Sequence, residues 1–264
     1  MIGTSRRPAP PKLSATANVD GQLVYVIGDI HGCYLLLREV LARIASDAKE
    51  GARGRRPIII LLGDLIDRGP HSAQVIETVT WLQRYHPFEV HLLMGNHERA
   101  LLAFIDRPVD AGEWLLFGGD ATLRSYGVAP PPPDATASAH IATRDALLRR
   151  MPASHLLCLQ RALPMLTLGD YAFVHAGIRP GRPIGEQEEE DLLWIGAEFT
   201  ASADRFEKII VHGHTITEEA ELPGNRIGID TGAYRSGILT ALRIEDGDLG
   251  LIQTGKDSAR AFVP

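Results

Sequence analysis

Five short polar clusters in this 264-residue chain carry side chains that bind metal ions, and each follows a short apolar run. The mixture of carboxylates, imidazoles and one amide, without thiolates, suits Mn²⁺, Fe or Zn²⁺. The set is too large for one ion, so we expect two divalent ions, with Mn²⁺ as the first choice. The clusters are Gly28-Asp29-Ile30-His31-Gly32, Gly63-Asp64-Leu65-Ile66-Asp67-Arg68-Gly69, Gly95-Asn96-His97-Glu98, His175-Ala176-Gly177 and His212-Gly213-His214-Thr215.

A pair of metal ions points to chemistry at phosphorus. In such sites the ions lie about 3.5 to 4 Å apart, share a bridging group, and clamp the attacking and leaving oxygens of an in-line displacement. A central carboxylate such as Asp64 is the natural bridge. Each cluster taken alone is more often a solvated loop or a satisfied buried side chain. Five clusters that each follow an apolar strand make coincidence improbable.

Buried strands must position these clusters. The run 58–62 consists of five aliphatic residues closed by Gly63, which is typical of a buried parallel strand. The other runs are 24–27, 90–93, 172–174 and 209–211. Because open α/β sheets bind ligands at the carboxyl ends of their strands, the clusters should meet at one sheet edge. The sequence therefore predicts a site built from strand ends.

The remaining pattern predicts one domain with an insertion. Helices are expected after Gly32, over 71–85 and from Glu98 onward, and further strands over 165–168, 226–229, 238–244 and 249–253, with the last pair as a hairpin. Strand signals stop over about 99–163, which we interpret as a helical cap interrupted by four prolines at 130–133. Residues 1–20 are predicted to be a mobile tail, and 21–264 a single domain.

Composition narrows the class of partner. The 27 basic and 33 acidic residues give a net charge of −6, which offers no general attraction to nucleic acid or an anionic membrane. Cys33 and Cys158 are too few for a disulfide framework, no run is long enough to span a membrane, and no secretory h-region follows Arg7. We expect a cytoplasmic protein, with the oligomeric state left open.

The order of these clusters resembles that of a known family. The sequences GDIHG, GDLIDRG, GNHE, HAG and HGHT, with LLW at 192–194 and DTGA at 230–233, are similar to motifs of the PPP-type metallophosphatases. The resemblance is greatest to the bacterial and phage branch of these serine/threonine protein phosphatases. The whole family belongs to the calcineurin-like metallophosphoesterases. The resemblance implies an α/β fold in which two mixed β-sheets form a sandwich flanked by helices, with a dinuclear metal site at the strand ends.

The resemblance also implies the ligands of the two ions. Six residues of this chain match ligand positions of the family. Asp29 and His31 would bind the first ion, Asp64 both ions, and Asn96, His175 and His214 the second. His212 precedes the Gly-His-Thr part of its cluster, where the family varies, and is interpreted as a packing residue.

Further roles carry over to residues beside the ligands. His97 resembles the family's general acid, with Asp67 fixing its tautomer, and Arg68 would bind phosphate oxygens bidentately. Asn96 would also contact substrate. Tyr234 is expected to line the pocket. Gly196 stands where relatives have a second phosphate-binding arginine, and Arg235 is the nearest replacement among several arginines.

Four functions have to be weighed. We predict a phosphatase acting on phosphoserine or phosphothreonine in proteins, with a metal-bound hydroxide attacking phosphorus directly. The alternatives are symmetrical hydrolysis of dinucleoside polyphosphates, tyrosine or small-molecule phosphatase activity, and, from another class, a non-catalytic metal-binding module. Asp67 and Glu98 favour the protein phosphatases, because relatives that cleave dinucleoside polyphosphates usually carry Ala and Asp there. The predicted partner is a phosphorylated protein or peptide.

Overall fold

Two mixed β-sheets packed face to face form the centre of the molecule, in a computed structural model that describes residues 17–85, 87–222 and 224–255. The first sheet has the strand order β3-β2-β1-β8-β9 and the second the order β4-β5-β6-β7. The strands are β1 (Leu23–Ile27), β2 (Ile58–Leu61), β3 (Glu89–Leu92), β4 (Met165–Leu168), β5 (Tyr171–Val174), β6 (Ile209–His212), β7 (Arg226–Gly228), β8 (Thr240–Glu245) and β9 (Asp248–Gln253).

Helices flank both sheets. The helices α1, α2 and α3 follow the strands β1, β2 and β3 of the first sheet, and they lie where the sequence predicted helices. The α-helices are α1 (Tyr34–Gly51), α2 (Ser72–Tyr85), α3 (Asn96–Asp106), α4 (Gly119–Ser125), α5 (Ala137–Arg150), α6 (Ala153–Gln160), α7 (Glu189–Trp194), α8 (Ala197–Thr200) and α9 (Ala233–Ser236), with 3₁₀ helices at Gly112–Phe117 and Ile184–Glu186. None of the described helices has both the length and the apolar character that a membrane crossing requires.

Strand alternation creates the layers. In β1, Tyr25 and Ile27 face α1 and α2, whereas Val24 and Val26 face the second sheet. In β5, Phe173 points toward the first sheet, and its neighbours point outward toward α7 and α8. Successive side chains of a strand point to opposite faces, so runs that are apolar at every position become buried on both sides. The predicted fold of two sandwiched mixed sheets with flanking helices is confirmed.

Strand direction brings the polar clusters together. β1, β2 and β3 are parallel neighbours, with Ile27 paired to Leu61 and Leu61 to Leu92. β5, β6 and β7 are parallel neighbours in the second sheet. The carboxyl ends of each parallel set therefore lie at one edge, and the clusters that follow them are neighbours in space. The terminal hairpin of β8 and β9 closes through Asp246 and Gly247, both with positive φ, which suits a two-residue turn.

The predicted mobile tail, residues 1–20, includes residues at its C-terminal end that pack against the domain. Residues 1–16 lie outside the described residues, but Val19 is fully buried in the core between the sheets. The backbone N–H of Asn18 donates to Asp170 Oδ2 at 2.9 Å. Residues 17–20 therefore pack against the second sheet, because an apolar side chain in this stretch has a place in the inter-sheet core.

The segment predicted as a cap packs into the main core of the first sheet. Leu123, Leu147 and Leu159 belong to the same buried cluster as Tyr25 and its neighbours on the helical face. The His155 side chain links two helices, with Nδ1 at 2.8 Å from the Tyr126 hydroxyl and Nε2 at 2.7 Å from Glu77 Oε2. The insertion is thus bound to α2 by apolar and polar contacts, and we propose that it belongs to the same domain.

Candidate dinuclear metal site

Left-handed turns point the site residues inward. Positive φ is uncommon outside glycine and costs conformational energy, so it persists where the surrounding structure enforces it. Eight described non-glycine residues have positive φ, and five of them belong to the polar clusters. These five are His31, Asp64, Asp67, Arg68 and His214.

Backbone contacts lock the first two clusters together. The Asp64 carbonyl accepts hydrogen bonds from the N–H groups of Ile30 and His31 at 3.0 and 2.9 Å. The Asp64 carboxylate in turn lies against Gly95, where a Cβ atom would be only 2.3 Å from Asp64 Oδ1. Only glycine fits so close an approach. The glycine of the third cluster therefore makes room for the central carboxylate.

Asp64 lies at the centre of the site. Its Oδ2 is 3.5 Å from His31 Nε2 and 3.8 Å from His97 Nε2, and its Oδ1 is 3.5 Å from His175 Nε2. Burial would raise the pKa of Asp64, but the imidazoles of His175, His97 and His31 outweigh it and hold the pKa well below the usual range. Asp64 is thus held as a carboxylate among imidazoles.

Two groups of potential ligand atoms share Asp64. Within each group the atoms all lie within 4.8 Å of one another. One group contains His31, Asp64 and His97, and the other Asp64, His175 and His214. Because Asp64 belongs to both groups, its carboxylate lies where a ligand that bridges two ions would have to be.

Hydrogen bonds orient the imidazoles. The Nδ1–H of His31 donates to the Ile66 carbonyl at 2.8 Å, and the Nδ1–H of His175 to the Leu62 carbonyl at 2.9 Å. Burial lowers the pKa of His31 to about 3 and lowers the pKa of His175 as well, so both rings are neutral at physiological pH. Each Nε2 therefore carries a lone pair directed into the site, as in metal-binding histidines.

A donor is missing between His175 and Asn96. Nε2 of His175 lies 2.8 Å from Asn96 Oδ1, and both atoms are acceptors once Nδ1 donates to Leu62. His214 Nδ1 lies 3.1 Å from the same Asn96 oxygen. A cation bound between these lone pairs would remove the mismatch. The donor set of this chain therefore fits a divalent metal ion.

Asp29 lies at the same edge beside a second buried acid, Asp230. The His214 N–H contacts both Asp29 oxygens, at 3.2 and 3.1 Å, and a Cβ at Gly213 would lie 2.0 Å from Oδ1. Burial and the neighbouring charges of Asp230 and Asp64 raise the pKa of Asp29, and burial raises the pKa of Asp230 to about 6. Asp230 follows β7 as the other clusters follow their strands, so the strand-end rule would have identified it.

His97 is held by a buried carboxylate. Its Nδ1–H donates to Asp67 Oδ2 at 2.7 Å, and the same oxygen accepts from Trp114 Nε1 at 2.8 Å. Asp67 Oδ1 accepts from the Thr122 hydroxyl at 2.6 Å. Burial lowers the pKa of His97, but Asp64 and Asp67 outweigh it and raise the pKa above the usual value. Asp67 thus fixes which ring nitrogen faces Asp64.

Trp114 and Thr122 were not predicted as site residues. Both come from the inserted segment, 47 and 55 residues after Asp67. A buried tryptophan N–H needs an acceptor, but nothing in the local pattern indicates which one.

Glu98 supports the turn that carries Asp64. Its carboxylate is fully buried and accepts from the N–H groups of Asp64, Leu65 and Gly95 at 2.7, 2.8 and 3.1 Å. Burial and the charge of Asp64 raise the pKa of Glu98 to about 8. Glu98 therefore stabilises the backbone turn of the site, and its buried carboxylate is not exposed to a substrate.

Arg68 and Tyr234 border the first ligand group. The guanidinium nitrogens of Arg68 lie 3.0 Å from His31 Nε2 and 3.1 Å from His97 Nε2. The Tyr234 ring packs against both partners, with its centroid 5.3 Å from that of His31 and 4.6 Å from Arg68 Cζ. The Arg68 guanidinium thus lies beside the first ligand group, and the Tyr234 ring packs against it and fixes its orientation.

No hydrogen bond or ion pair among the described residues joins the side chains of Arg235, Arg179 or His212 to the two ligand groups. Arg235 is exposed, and no described residue forms a hydrogen bond or ion pair with its side chain. Arg179 is paired with Asp191 at 2.5 Å. His212 packs against Phe199 with ring centroids 5.0 Å apart, as a packing residue would. Among the described residues, Arg68 is the arginine whose guanidinium contacts the ligand groups.

The sequence matches a family model and has recognisable relatives. Residues 23–236 match the model of the calcineurin-like phosphoesterases. An asymmetrical bis(5′-nucleosyl)-tetraphosphatase PrpE of Bacillus thuringiensis (strain Al Hakam) is 29% identical over 257 residues, which cover 90% of this chain and 96% of that protein.

Two crystal structures share the fold. A proposed diadenosine tetraphosphatase aligns with a TM-score of 0.61 at 19% identity, covering 91% of this chain and 97% of that one. A cold-active protein-tyrosine phosphatase of a psychrophilic Shewanella species aligns with a TM-score of 0.60 at 17% identity, covering 91% and 80%. Since these phosphatases are named for different substrates, the fold by itself does not identify the substrate.

The prediction of a phosphoserine and phosphothreonine phosphatase is wrong, and so is the predicted phosphoprotein partner. Relatives that align over 83 to 90% of this chain are named for a nucleotide substrate. The error came from Asp67 and Glu98, which we used to favour protein phosphatases. In the structure Asp67 orients His97 and Glu98 holds the Asp64 turn. Neither is placed to distinguish one phosphorylated substrate from another.

Calcineurin-like phosphoesterases are hydrolases that use two divalent metal ions, and the paired ligand groups around Asp64 provide for such a site. The match extends over most of the chain and includes every cluster at the strand ends. This chain belongs to the calcineurin-like phosphoesterase family.

Proposed function

We propose that this protein hydrolyses dinucleoside tetraphosphates asymmetrically, giving a nucleoside monophosphate and a nucleoside triphosphate. The observation that carries the proposal is the relative named for this activity, which aligns over 90% of the chain. The dinuclear ligand geometry supports it, because two metal ions suit displacement at phosphorus. The alternative from the sequence was symmetrical cleavage, and the name of this relative favours the asymmetrical mode. The motif order further supports a place in the PPP-type branch.

We assign the metal ligands as the sequence predicted. Asp29 and His31 would hold the first ion, Asp64 both, and Asn96, His175 and His214 the second. Mn²⁺ is the proposed metal because the donor set lacks thiolates and combines imidazole with oxygen ligands. When bound, the two ions supply Lewis acidity to phosphoryl oxygens and activate a water molecule.

Residues of the chain position the polyphosphate. The Arg68 guanidinium, held over the Tyr234 ring, has N–H groups within reach of the site centre and would bind phosphate oxygens in its bidentate fork. Asn96 would add a contact through its side-chain amide. Among the described residues, Arg68 is the arginine that has hydrogen bonds to the ligand groups, and we propose that it carries the recognition of phosphate charge.

His97 would move the proton. With Nδ1–H fixed on Asp67, its Nε2 faces Asp64 and the site centre. We propose that Nε2–H donates to the oxygen of the departing phosphate, while Asp67 stabilises the imidazolium and its orientation. Asp67 is a positioning residue in this scheme.

Product analysis tests the proposed function. Purified protein with Mn²⁺ is incubated with diadenosine tetraphosphate, a phosphoserine peptide and p-nitrophenyl phosphate, and the products are separated by ion-exchange chromatography. Equal amounts of AMP and ATP are expected from diadenosine tetraphosphate. Release of ADP alone would contradict the asymmetry. No turnover of this compound by a preparation that hydrolyses the aryl phosphate would contradict the proposal.

A further inference from the structure

Trp194 is the exposed member of an otherwise buried apolar run beside the site. Its neighbours Leu192, Leu193 and Ile195 are buried, but 40% of the Trp194 surface is exposed. Its ring centroid lies 6.3 Å from that of His214, with the two planes at 86°. A large aromatic face at the edge of a polar site contributes little to the core, and it offers a flat apolar surface to a ligand.

The helix that carries Trp194 is fastened to the site. The Ala176 N–H, next to His175, donates to the Leu192 carbonyl at 2.8 Å. Asp191 of the same helix accepts from Arg179 Nε at 2.8 Å and from the guanidinium NH₂ at 2.5 Å. The position of Trp194 relative to the ligand cluster is therefore fixed by backbone and charged contacts, which is what a recognition surface requires.

The chain is open at Gly196, two residues after Trp194. Apart from its chain neighbours, no heavy atom lies within 4 Å of the point where a Cβ of Gly196 would be. The exposed part of the Trp194 side chain is therefore what leaves it accessible to a ligand.

We infer that Trp194 is the stacking platform for one nucleobase of the substrate. The inference rests on the proposed function and goes further by naming a residue that selects nucleotides over other phosphorylated compounds. Every nucleobase has a π-face, so stacking on an aromatic side chain recognises bases with little sequence preference. Because Trp194 contacts His214, a base held there places the phosphate nearest to its own nucleoside at the ligand cluster. Cleavage near one end of the polyphosphate follows from that placement.

Kinetics on two substrates separate stacking from general damage. Trp194→Ala should raise the KM for diadenosine tetraphosphate by roughly 5- to 150-fold, the range expected for losing one stacked base. Its kcat/KM on inorganic tripolyphosphate, which has no base, should stay within about twofold. Trp194→Leu should behave like the alanine variant, and Trp194→Phe should recover most of the affinity. The matched control is Trp81→Ala, which removes another exposed tryptophan, on α2.

Fluorescence gives a readout that is independent of turnover. Titration with AMP should quench the emission of the wild-type protein and of Trp81→Phe, and the quenching should be lost in Trp194→Phe. Equal losses on tripolyphosphate and diadenosine tetraphosphate in Trp194→Leu would overturn the inference, because Trp194 would then support the fold. Absence of AMP quenching in the wild type would also overturn it. Quenching without turnover of diadenosine tetraphosphate would support the platform and contradict the proposed function.

Discussion

The two ends of β1 hold contrasting groups of carboxylates. At the amino end, Asp47 accepts from the Tyr25 hydroxyl at 2.6 Å and from Arg243 Nε at 2.8 Å. Glu245 is hydrogen-bonded to Arg55 and Arg243. Each acid there has a guanidinium partner, so the cluster is complete within the chain.

At the carboxyl end the acids lack such partners. No described arginine or lysine forms an ion pair with Asp29, Asp64 or Asp230. Buried charges are costly unless they are paired or bind metals. The difference between the two ends indicates that buried acids without an arginine or lysine partner mark a site for cations from solution. Acids paired with guanidinium groups mark a place where the chain stabilises its own fold.

Among the variants at the carboxyl end of β1, removal of the Asp64 charge should lower activity the most. Asp64→Asn withdraws the charge shared by both ligand groups, and several kcal/mol of transition-state stabilisation correspond to a loss of about 10³-fold or more in kcat/KM. The measurement is steady-state hydrolysis of diadenosine tetraphosphate with saturating Mn²⁺. Asp47→Asn makes the same chemical change at the other end and should leave kcat/KM within about twofold. Retention of a tenth of the activity by Asp64→Asn would refute the shared role.

Removing the proton donor should spare the metal ligands. His97→Asn is expected to lower kcat by about 10²- to 10⁴-fold while the metal content stays unchanged. The loss should be smaller for an aryl phosphate than for an alkyl phosphate, because a good leaving group needs less protonation. Parallel assays on the two esters check this, and equal losses would exclude His97 as the acid.

The carboxylate behind His97 should matter less. Asp67→Asn keeps the Trp114 and Thr122 contacts geometrically possible but weakens the orientation of the imidazole, so kcat should fall by less than in His97→Asn. Pre-steady-state and steady-state rates of the two variants give the comparison. A larger loss in Asp67→Asn would assign Asp67 a direct contact with substrate.

The smallest effects concern stability, and they should have opposite signs at the two ends. Asp29 has a raised pKa, so its ionised form costs folding free energy at neutral pH, and Asp29→Asn should raise the Tm of the metal-free protein. Burial raises the pKa of Glu245, but the Arg55 and Arg243 hydrogen bonds outweigh it and lower the pKa. Glu245→Gln should therefore destabilise by about 1 kcal/mol, or about 2–4 °C.

Calorimetry of chelator-treated protein at several pH values checks both signs. The gain from Asp29→Asn should be full above the raised folded pKa and vanish below the unfolded pKa. The loss from Glu245→Gln should be full above the unfolded pKa of glutamate and vanish as the pH falls through the lowered folded pKa. Destabilisation by both variants at neutral pH would show that the two ends do not differ in the way described.

Local patterns predicted most of the frame. Runs such as 58–62 are apolar at every position because both faces of β2 are buried, and that pattern is readable without knowing the partners. The polar clusters were predicted to meet because parallel strands end at one edge. Asp64, His175 and His214 are indeed brought within a few ångströms of one another.

Contacts between distant segments were not predictable. Trp114 reaches Asp67 from a 3₁₀ helix inside the insertion, and the backbone N–H groups that bind Glu98 depend on the left-handed turn at Asp64. The substrate was predicted wrongly for a related reason. Residues inside the ligand cluster, such as Asp67 and Glu98, hold the cluster together and do not contact the nucleoside part of a substrate in our proposal. The proposed base-binding residue, Trp194, lies in another part of the chain.

Metal analysis tests the central claim most directly. Wild-type protein is stripped with chelator, loaded with Mn²⁺, freed of excess ion and analysed for metal content per chain, in parallel with Asp64→Asn. We expect two ions in the wild type, because the two ligand groups share Asp64, and a loss of both in the variant. One ion in fully loaded wild type, or two in Asp64→Asn, would contradict a dinuclear site bridged by Asp64.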